Sequence, residues 1–217
     1  MKKIIIAISS IWLLTVSSAM SVEYSIGISG NMGVYAATGT ENNYNDAGSS
    51  IDETTKEHGA FVAEYGSVFA EIALTDAVSV GLDYAGSFET PENISNEDQS
   101  NQRSVSAEFT DYTTVYAKLN VPLGGTYLKV GYSTVDVTSN ENGSGASRNS
   151  YGDDSSDGFT VGLGYNHELT SGVSVRLEVT GTEFSDVQVD NGNTNKTEIK
   201  VQEMIGARGT LSIVKSF

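Results

Sequence analysis

The closing run of the chain constrains its fold more than any other feature. Ile205, Ala207, Gly209, Leu211, Ile213 and Phe217 alternate with Gly206, Arg208, Thr210, Ser212 and Ser216, and Lys215 and Val214 are the exceptions on the two sets. Strand side chains point alternately to opposite faces, so a period of two over this length specifies a strand with one apolar and one largely polar face. The sequence ends on the aromatic Phe217, expected as the end of this strand.

The amino terminus reads as an export signal. Met1-Lys2-Lys3 is a basic start, Ile4 to Val16 is mostly apolar, and Ser17-Ser18-Ala19 places small residues where a signal peptidase reads. Cleavage is expected after Ala19, with Ser21 the alternative, so residues 1–19 are the signal peptide and 20–217 the mature domain. A buried helix or an anchor is the competing reading, but the apolar stretch is short for a span of about 20 residues.

The formal charge is -16, and it becomes -18 once Lys2 and Lys3 depart with the signal. So acidic a chain lacks the cationic surface that neutralises phosphates, which excludes nucleic acid as a partner. Cysteine is absent, so there is no disulfide, thiolate metal site or cysteine nucleophile. Beyond the signal, the best candidate for a membrane helix, Ala60 to Leu74, is interrupted by Glu64 and Glu71. A barrel is not excluded in this way, because its strands need only about 9 to 11 residues each and look weakly hydrophobic on average.

Alternation marks eight strands, near 23–36, 59–74, 78–88, 105–121, 127–137, 159–165, 173–179 and from 198 to the end. The face of the second strand that carries Phe61, Tyr65 and Phe69 is ambiguous, and Val135 and Val137 suggest a bulge near the end of the fifth. Tight turns at 75–77, 122–126 and 170–172 alternate with long polar connections at 37–58, 89–104, 138–157 and 185–197. Short turns at one end and long loops at the other fit an all-β, eight-stranded antiparallel up-and-down transmembrane β-barrel. The four long connections read as mobile polar tips.

Parity alone does not say which face meets lipid, since a soluble lipocalin-like barrel buries the apolar face instead. The signal, the terminal aromatic and the unequal connections favour the membrane. With the polar face inward, Glu71, Asp83, Glu108, Glu178 and Glu198 share the lumen with Lys118, Lys129, Arg176, Lys200 and Arg208. Such charges are tolerated in a narrow barrel only when paired, so a closed ionic core is expected. Inward glycines would leave room for Tyr112, Tyr116 and Tyr127. Trp12 leaves with the signal, and the interfacial girdle candidates are Tyr24, Tyr84, Phe88, Phe109, Tyr132, Phe159, Tyr165 and Phe217.

The signal, the tight-turned hairpins and the ending Leu211-Ser212-Ile213-Val214-Lys215-Ser216-Phe217 resemble the small bacterial outer-membrane barrels that include the OmpA transmembrane domain, the opacity proteins and OmpX. The resemblance implies an outer-membrane location, contact with lipid and lipopolysaccharide, a monomer, and assembly by the barrel machinery acting on the strand that ends at Phe217. Lys215 departs from the hydrophobic residue usual at its position. Because the chain ends at the barrel, no peptidoglycan-binding domain is expected.

No motif supplies an enzyme. Asp153-Asp154-Ser155-Ser156-Asp157-Gly158 begins like a calcium loop, but Gly164 stands where the bidentate carboxylate belongs, so no metal site is assigned. His58 and His167 sit in no convincing triad, and Glu108 with Glu178 read as ion-pair partners in place of a glycosidase pair. Gly162-x-Gly164 and Gly143-Ser144-Gly145 lack the strand-loop-helix order of a phosphate loop. Neither an activity nor a cofactor is expected. The leading reading is a structural or surface-interaction barrel with acidic outer loops; a narrow gated porin-like channel and a soluble carrier are the alternatives.

Overall fold

The computed structural model describes residues 23–45, 50–89, 93–98, 101–143, 153–192 and 196–217. The expected signal peptide therefore lies outside the described residues. Ten strands follow in order: β1 (Tyr24–Tyr44), β2 (Ile51–Ala73), β3 (Val78–Glu89), β4 (Asn93–Asp98), β5 (Asn101–Asn120), β6 (Thr126–Gly143), β7 (Asp154–Thr170), β8 (Val173–Phe184), β9 (Val187–Asp190) and β10 (Thr197–Ser216).

They make eight staves. β4 pairs with β5 above β3, and β9 pairs with β10 above β8, so each short strand continues an interrupted stave. Every pairing is antiparallel, and β1 closes on β10 from Ser25–Ser216 to Asn43–Thr197. Closure leaves the lower wall no edge, the condition for spanning lipid with strands. Following paired residues round the wall from Ala63 through Gly33, Arg208, Thr180, Gly162, Lys129, Lys118 and Ser79 returns to β2 at Ala73, a displacement of ten residues. With about 4.8 Å between strands and about 3.3 Å per residue, this shear tilts the eight staves by about 40°.

The lower strands turn their aliphatic side chains out. Ile26, Ile28, Val130, Leu163, Val179, Leu211 and Ile213 are exposed, Leu211 by 55% and Ile213 by 57%, whereas their polar neighbours on the same strands are buried. This orientation is the inverse of a soluble barrel's and removes the lipocalin-like alternative. β2 follows suit, with Phe61, Tyr65, Phe69 and Glu71 inward and Val62, Glu64 and Val68 outward. On five strands the outward apolar series ends at a carboxylate, Asp111, Asp136, Asp157, Glu183 or Glu203, and on β2 Glu64 interrupts it just below Val62. Ile205 to Phe217 rises roughly 30 Å along the axis at this tilt, about the thickness of a bilayer's hydrocarbon core.

Above that level the structure corrects the sequence reading. Residues 37–44 and 51–58, expected as a polar loop, continue β1 and β2 as a paired hairpin, and β4, β9 and the outer ends of β6 and β7 extend into the other three long connections. A ladder standing in water on both faces needs no apolar alternation, so period two did not reveal it. The bulge expected at the end of β6 lies on β5 instead. Val135 continues the inward set of β6, while the β5–β6 register shifts between Thr110 and Thr113, around Asp111, whose φ is +52°.

Two inward glycines set how closely the wall approaches its filling. A Cβ at Gly81 would strike the Tyr116 ring, and one at Gly164 would overlap the Tyr127 ring. Tyr127 is 1% exposed and has no room to retreat. Gly164→Ala is therefore expected to destabilise the barrel by about 1–3 kcal/mol through overpacking, measured as a lower urea midpoint in detergent micelles; an unchanged midpoint would show that the lumen yields.

Candidate functional site

The lumen is filled in two layers of different chemistry. In the lower one Glu71, from β2, is the hub. It accepts hydrogen bonds from Tyr116 Oη at 2.8 Å and Lys118 Nζ at 2.6 Å, both from β5, and from the two Nη atoms of Arg176, from β8, at 2.6 and 2.9 Å. A second acid, Glu178, accepts from Tyr127 Oη at 2.8 Å and from Lys129 Nζ at 2.9 Å. The cations also face rings: Lys129 Nζ lies 4.0 Å from the centre of Tyr116, and the Arg176 guanidinium 4.9 Å from Phe69. Forked and cation–π contacts are the geometries that make buried charges tolerable.

Arg208 of β10 stands above this layer. Its Nη2 is 3.6 Å from Asp83 Oδ2, and it donates weakly to Thr180 Oγ1 at 3.3 Å and Tyr65 Oη at 3.4 Å. Asp83 Oδ1, Arg176 Nε and Arg208 Nη2 have no hydrogen-bond partner. Arg208 is thus the loosest of the buried pairs, and it marks the boundary with the second layer.

That second layer is aromatic. Tyr35, Phe61, Tyr65, Phe88, Phe109, Tyr112 and Phe184 gather with Val135, Val187 and Met204. Tyr65 and Phe88 stack at 4.5 Å between ring centres, Phe88 and Phe109 at 5.1 Å, and Tyr35 and Phe61 at 5.3 Å. The void enclosed by these rings is only ≈ 10 Å³, at the lower limit for one water and without the polar partners a water needs.

Phe88 and Phe109 are therefore corrections, since both were expected at the lipid interface. Around Gly86 and Asp111 the alternation of β3 and β5 changes phase, which turns the paired Phe88 and Phe109 into the lumen. The same change moves Glu108 to the opposite face, against Glu89, where it forms no ion pair among the described residues. Tyr24, Tyr84, Tyr132, Phe159, Tyr165 and Phe217 do point outward. Tyr84 donates to Asp111 at 2.7 Å, and Tyr132 donates to Asp157, so two phenols lean on the carboxylates that end the apolar band.

Glu198 and Lys200 are also corrections. At Glu203, with φ +54°, β10 changes phase and its register with β1 shifts. Val201 then packs against the aromatic cluster, which puts Glu198 and Lys200 on the outer face of the wall. There Lys196 bridges Asp190 at 3.3 Å and Glu198 at 3.2 Å, and Lys200 reaches Glu198 at 3.2 Å. Burial pushes the Glu198 carboxyl up, but the hydrogen bonds from Lys196 and Lys200 outweigh it and hold the group below its ordinary range. The Gly192 N–H and Lys196 do the same for Asp190.

Sequence reading missed Tyr35, Phe61 and Phe184 as luminal filling, and Lys196 and Asp190 as part of the outer cluster. All three keep the inward parity of their strands, but the apolar face of β2 was ambiguous and Tyr35 and Phe184 are single aromatics in otherwise polar inward sets, while no motif marks the second group. His58 Nδ1 bonds Thr38 Oγ1 at 2.9 Å, and Thr38 in turn donates to Glu203 at 3.0 Å, while His167 stacks on Tyr165. Among the described residues no three His, Cys, Asp or Glu side chains are grouped to hold a metal ion.

A closed, tilted, eight-stave wall with aliphatic residues outside and paired charges inside belongs in a membrane. The family described as outer membrane protein beta-barrel domain matches residues 13–202. The chain belongs to the outer-membrane β-barrel family. Its place is the bacterial outer membrane, in contact with that membrane's lipid and lipopolysaccharide. OprG from Pseudomonas aeruginosa is similar in structure, with a TM-score of 0.58 at 15% identity over 89% of this chain and 95% of OprG. The outer membrane protein AlkL gives 0.48 at 14% identity, over 93% and 94% of the two chains. The outer membrane protease OmpT of Escherichia coli gives 0.47 at 11%, over 94% and 99%. The OprG likeness speaks for the fold alone. No curated protein matches in sequence.

Two outcomes follow from the charges. Glu71→Ala leaves Lys118 and Arg176 facing each other without their shared carboxylate and is expected to cost about 3–5 kcal/mol, read as a lower urea midpoint of the heat-modifiable folded form. Glu198 and Asp190 titrate lower folded than unfolded, so their stabilisation is complete at neutral pH and is lost as pH falls through the folded values. Amide hydrogen exchange in β9 should accelerate on acidification through the carboxylate range while the lower strands stay protected, and Glu198→Gln should flatten much of that dependence.

Proposed function

We propose that this protein is a closed, non-catalytic outer-membrane barrel with a structural or surface-interaction role, whose wall anchors an acidic, strand-built outer region. The observation that carries this reading is the double closure of the lumen. The Glu71, Lys118 and Arg176 cluster and the Glu178, Lys129 pair fill the lower part, and stacked rings fill the part above. An ion crossing would have to break buried pairs and then part an apolar plug, two barriers in series. The barrel is a monomer in this reading and is assembled through its closing strand. Phe217 lies at the lower rim, its N–H bonded to Tyr24 O at 2.9 Å and its ring 70% exposed, where assembly machinery could reach it.

The gated channel is the alternative, and one feature favours it. Arg208 and Asp83 are loosely joined and keep atoms without partners, so the polar layer has slack at its upper end. Recordings of the refolded protein in planar bilayers decide between the readings. Inserted but silent protein is the expected result. Discrete salt-dependent steps, with selectivity altered by changing Lys118, Arg176 or Arg208, would establish the channel instead.

A further inference from the structure

One seam of the wall is interrupted over a long stretch of described residues. β2 and β3 pair from Ala73–Ser79 up to Ser67–Ala85 and no further, while β2 stays paired to β1 all the way to Ile51–Tyr44. Among the described residues no strand lies against the other edge of β2 above Ser67. Near the membrane the seam is closed by side chains, because Phe61 and Tyr65 of β2 stack on Phe109 and Phe88 across it. Higher up, from Ile51 to Ala60, every residue of β2 is exposed.

The direction of the free backbone groups follows from the paired ones. Ala73 donates its N–H to Glu23 O on the β1 side, whereas Leu74 donates to Val78 O on the β3 side. Alternation continues along the strand, so Thr54, Lys56, His58 and Ala60 direct N–H and C=O to the open edge. An edge strand of this length is ordinarily guarded by proline, a bulge or several lysines. This one has no proline, its register with β1 does not shift until Tyr44, and its single lysine is Lys56.

We propose that this edge is a docking site for an extended, lysine-rich peptide segment, which adds to the sheet as a further strand. The inference deepens the surface-interaction reading and rests on it. Strand addition draws affinity from main-chain hydrogen bonds and selectivity from side chains. Charge selects the occupant: Asp52, Glu53, Glu57 and Glu64 face Lys56 alone. A second copy of the chain would bring the same negative edge, and like charges opposed across strands repel. The ladder to β1 already holds β2 extended, so little ordering of the receptor is needed on binding.

The test uses mature barrel refolded in lipid nanodiscs and a fluorescent peptide of alternating lysine and threonine, about ten residues long so that it spans the edge at about 3.3 Å per residue. Binding is expected, and it should weaken by about tenfold or more when alternate backbone nitrogens of the peptide are methylated, which keeps the charge but removes the donors. The glutamate counterpart should bind at least as poorly. Ala60→Pro removes one edge-facing N–H and leaves the bonds to β1, so it should weaken the lysine peptide while the barrel still migrates as the folded, heat-modifiable form. Equal binding of the methylated or the glutamate peptide, or no binding of the lysine peptide to folded barrel, would overturn the proposal. A dimer of the barrel that Ala60→Pro abolishes would also overturn it, in favour of a second copy. Planar-bilayer currents report on the lumen independently, so a conducting barrel that binds the peptide and a silent barrel that does not are separate failures.

Discussion

Pairing of β1 with β10 is the interaction on which the rest depends. A strand in hydrocarbon has no water to satisfy its backbone, and each unpaired polar group there costs several kcal/mol, so the wall must close or not insert. Closure with a shear of ten residues fixes the tilt, and the tilt fixes how wide the lumen is. At this width the interior is a packed space, and every inward side chain becomes a packing decision. This is why Gly81 and Gly164 stand where Tyr116 and Tyr127 need room, and why Glu71 can reach Lys118 past β3 on one side and Arg176 past β1 and β10 on the other.

Local breaks in alternation complete the aromatic layer, whose Tyr35, Phe61, Tyr65 and Phe184 keep the unbroken inward parity of their strands. Below Asp111 and Glu203 the inward positions carry Ser, Thr, Tyr and paired charges; beyond those two residues the phase changes and Phe88, Phe109 and Val201 turn in. A bulge of one residue exchanges the faces of everything beyond it. A strand can thereby present oil to lipid along its lower half and oil to its own lumen along its upper half, where the outside is water. The outward carboxylates Glu64, Asp111, Asp136, Asp157, Glu183 and Glu203 mark the level at which this exchange becomes permissible.

These same breaks set how much could be read from the sequence. Strands beside lipid were legible because one face must be apolar: the alternations of β3, β8 and the closing strand led directly to the barrel, and the inward positions of Glu71, Lys118, Lys129, Arg176, Glu178 and Arg208 follow from parity alone. Phe88, Phe109, Glu108, Glu198 and Lys200 were misplaced because each lies beyond a phase change, and a non-glycine residue at positive φ such as Asp111 or Glu203 leaves no local mark in composition. The upper hairpin of β1 and β2 escaped for a different reason. Its polar residues on both faces suit a solvated ladder as well as they suit a loop, and only the long-range pairing tells the two apart.

The interrupted seam follows from the same rule that closes the wall. β2 loses its β3 partner above Ser67, three residues from Glu64, so the ladder parts close to the first carboxylate on the outward face of β2, where water can begin to satisfy backbone groups. Just above that point the stacked rings of Tyr65, Phe88, Phe61 and Phe109 hold the two sides together without backbone bonds. A break set lower would leave donors and acceptors in hydrocarbon, whereas a break set higher would shorten the free edge. Its position therefore preserves a closed barrel within the membrane and leaves a preformed strand edge outside it, two properties that a uniformly paired wall could not combine.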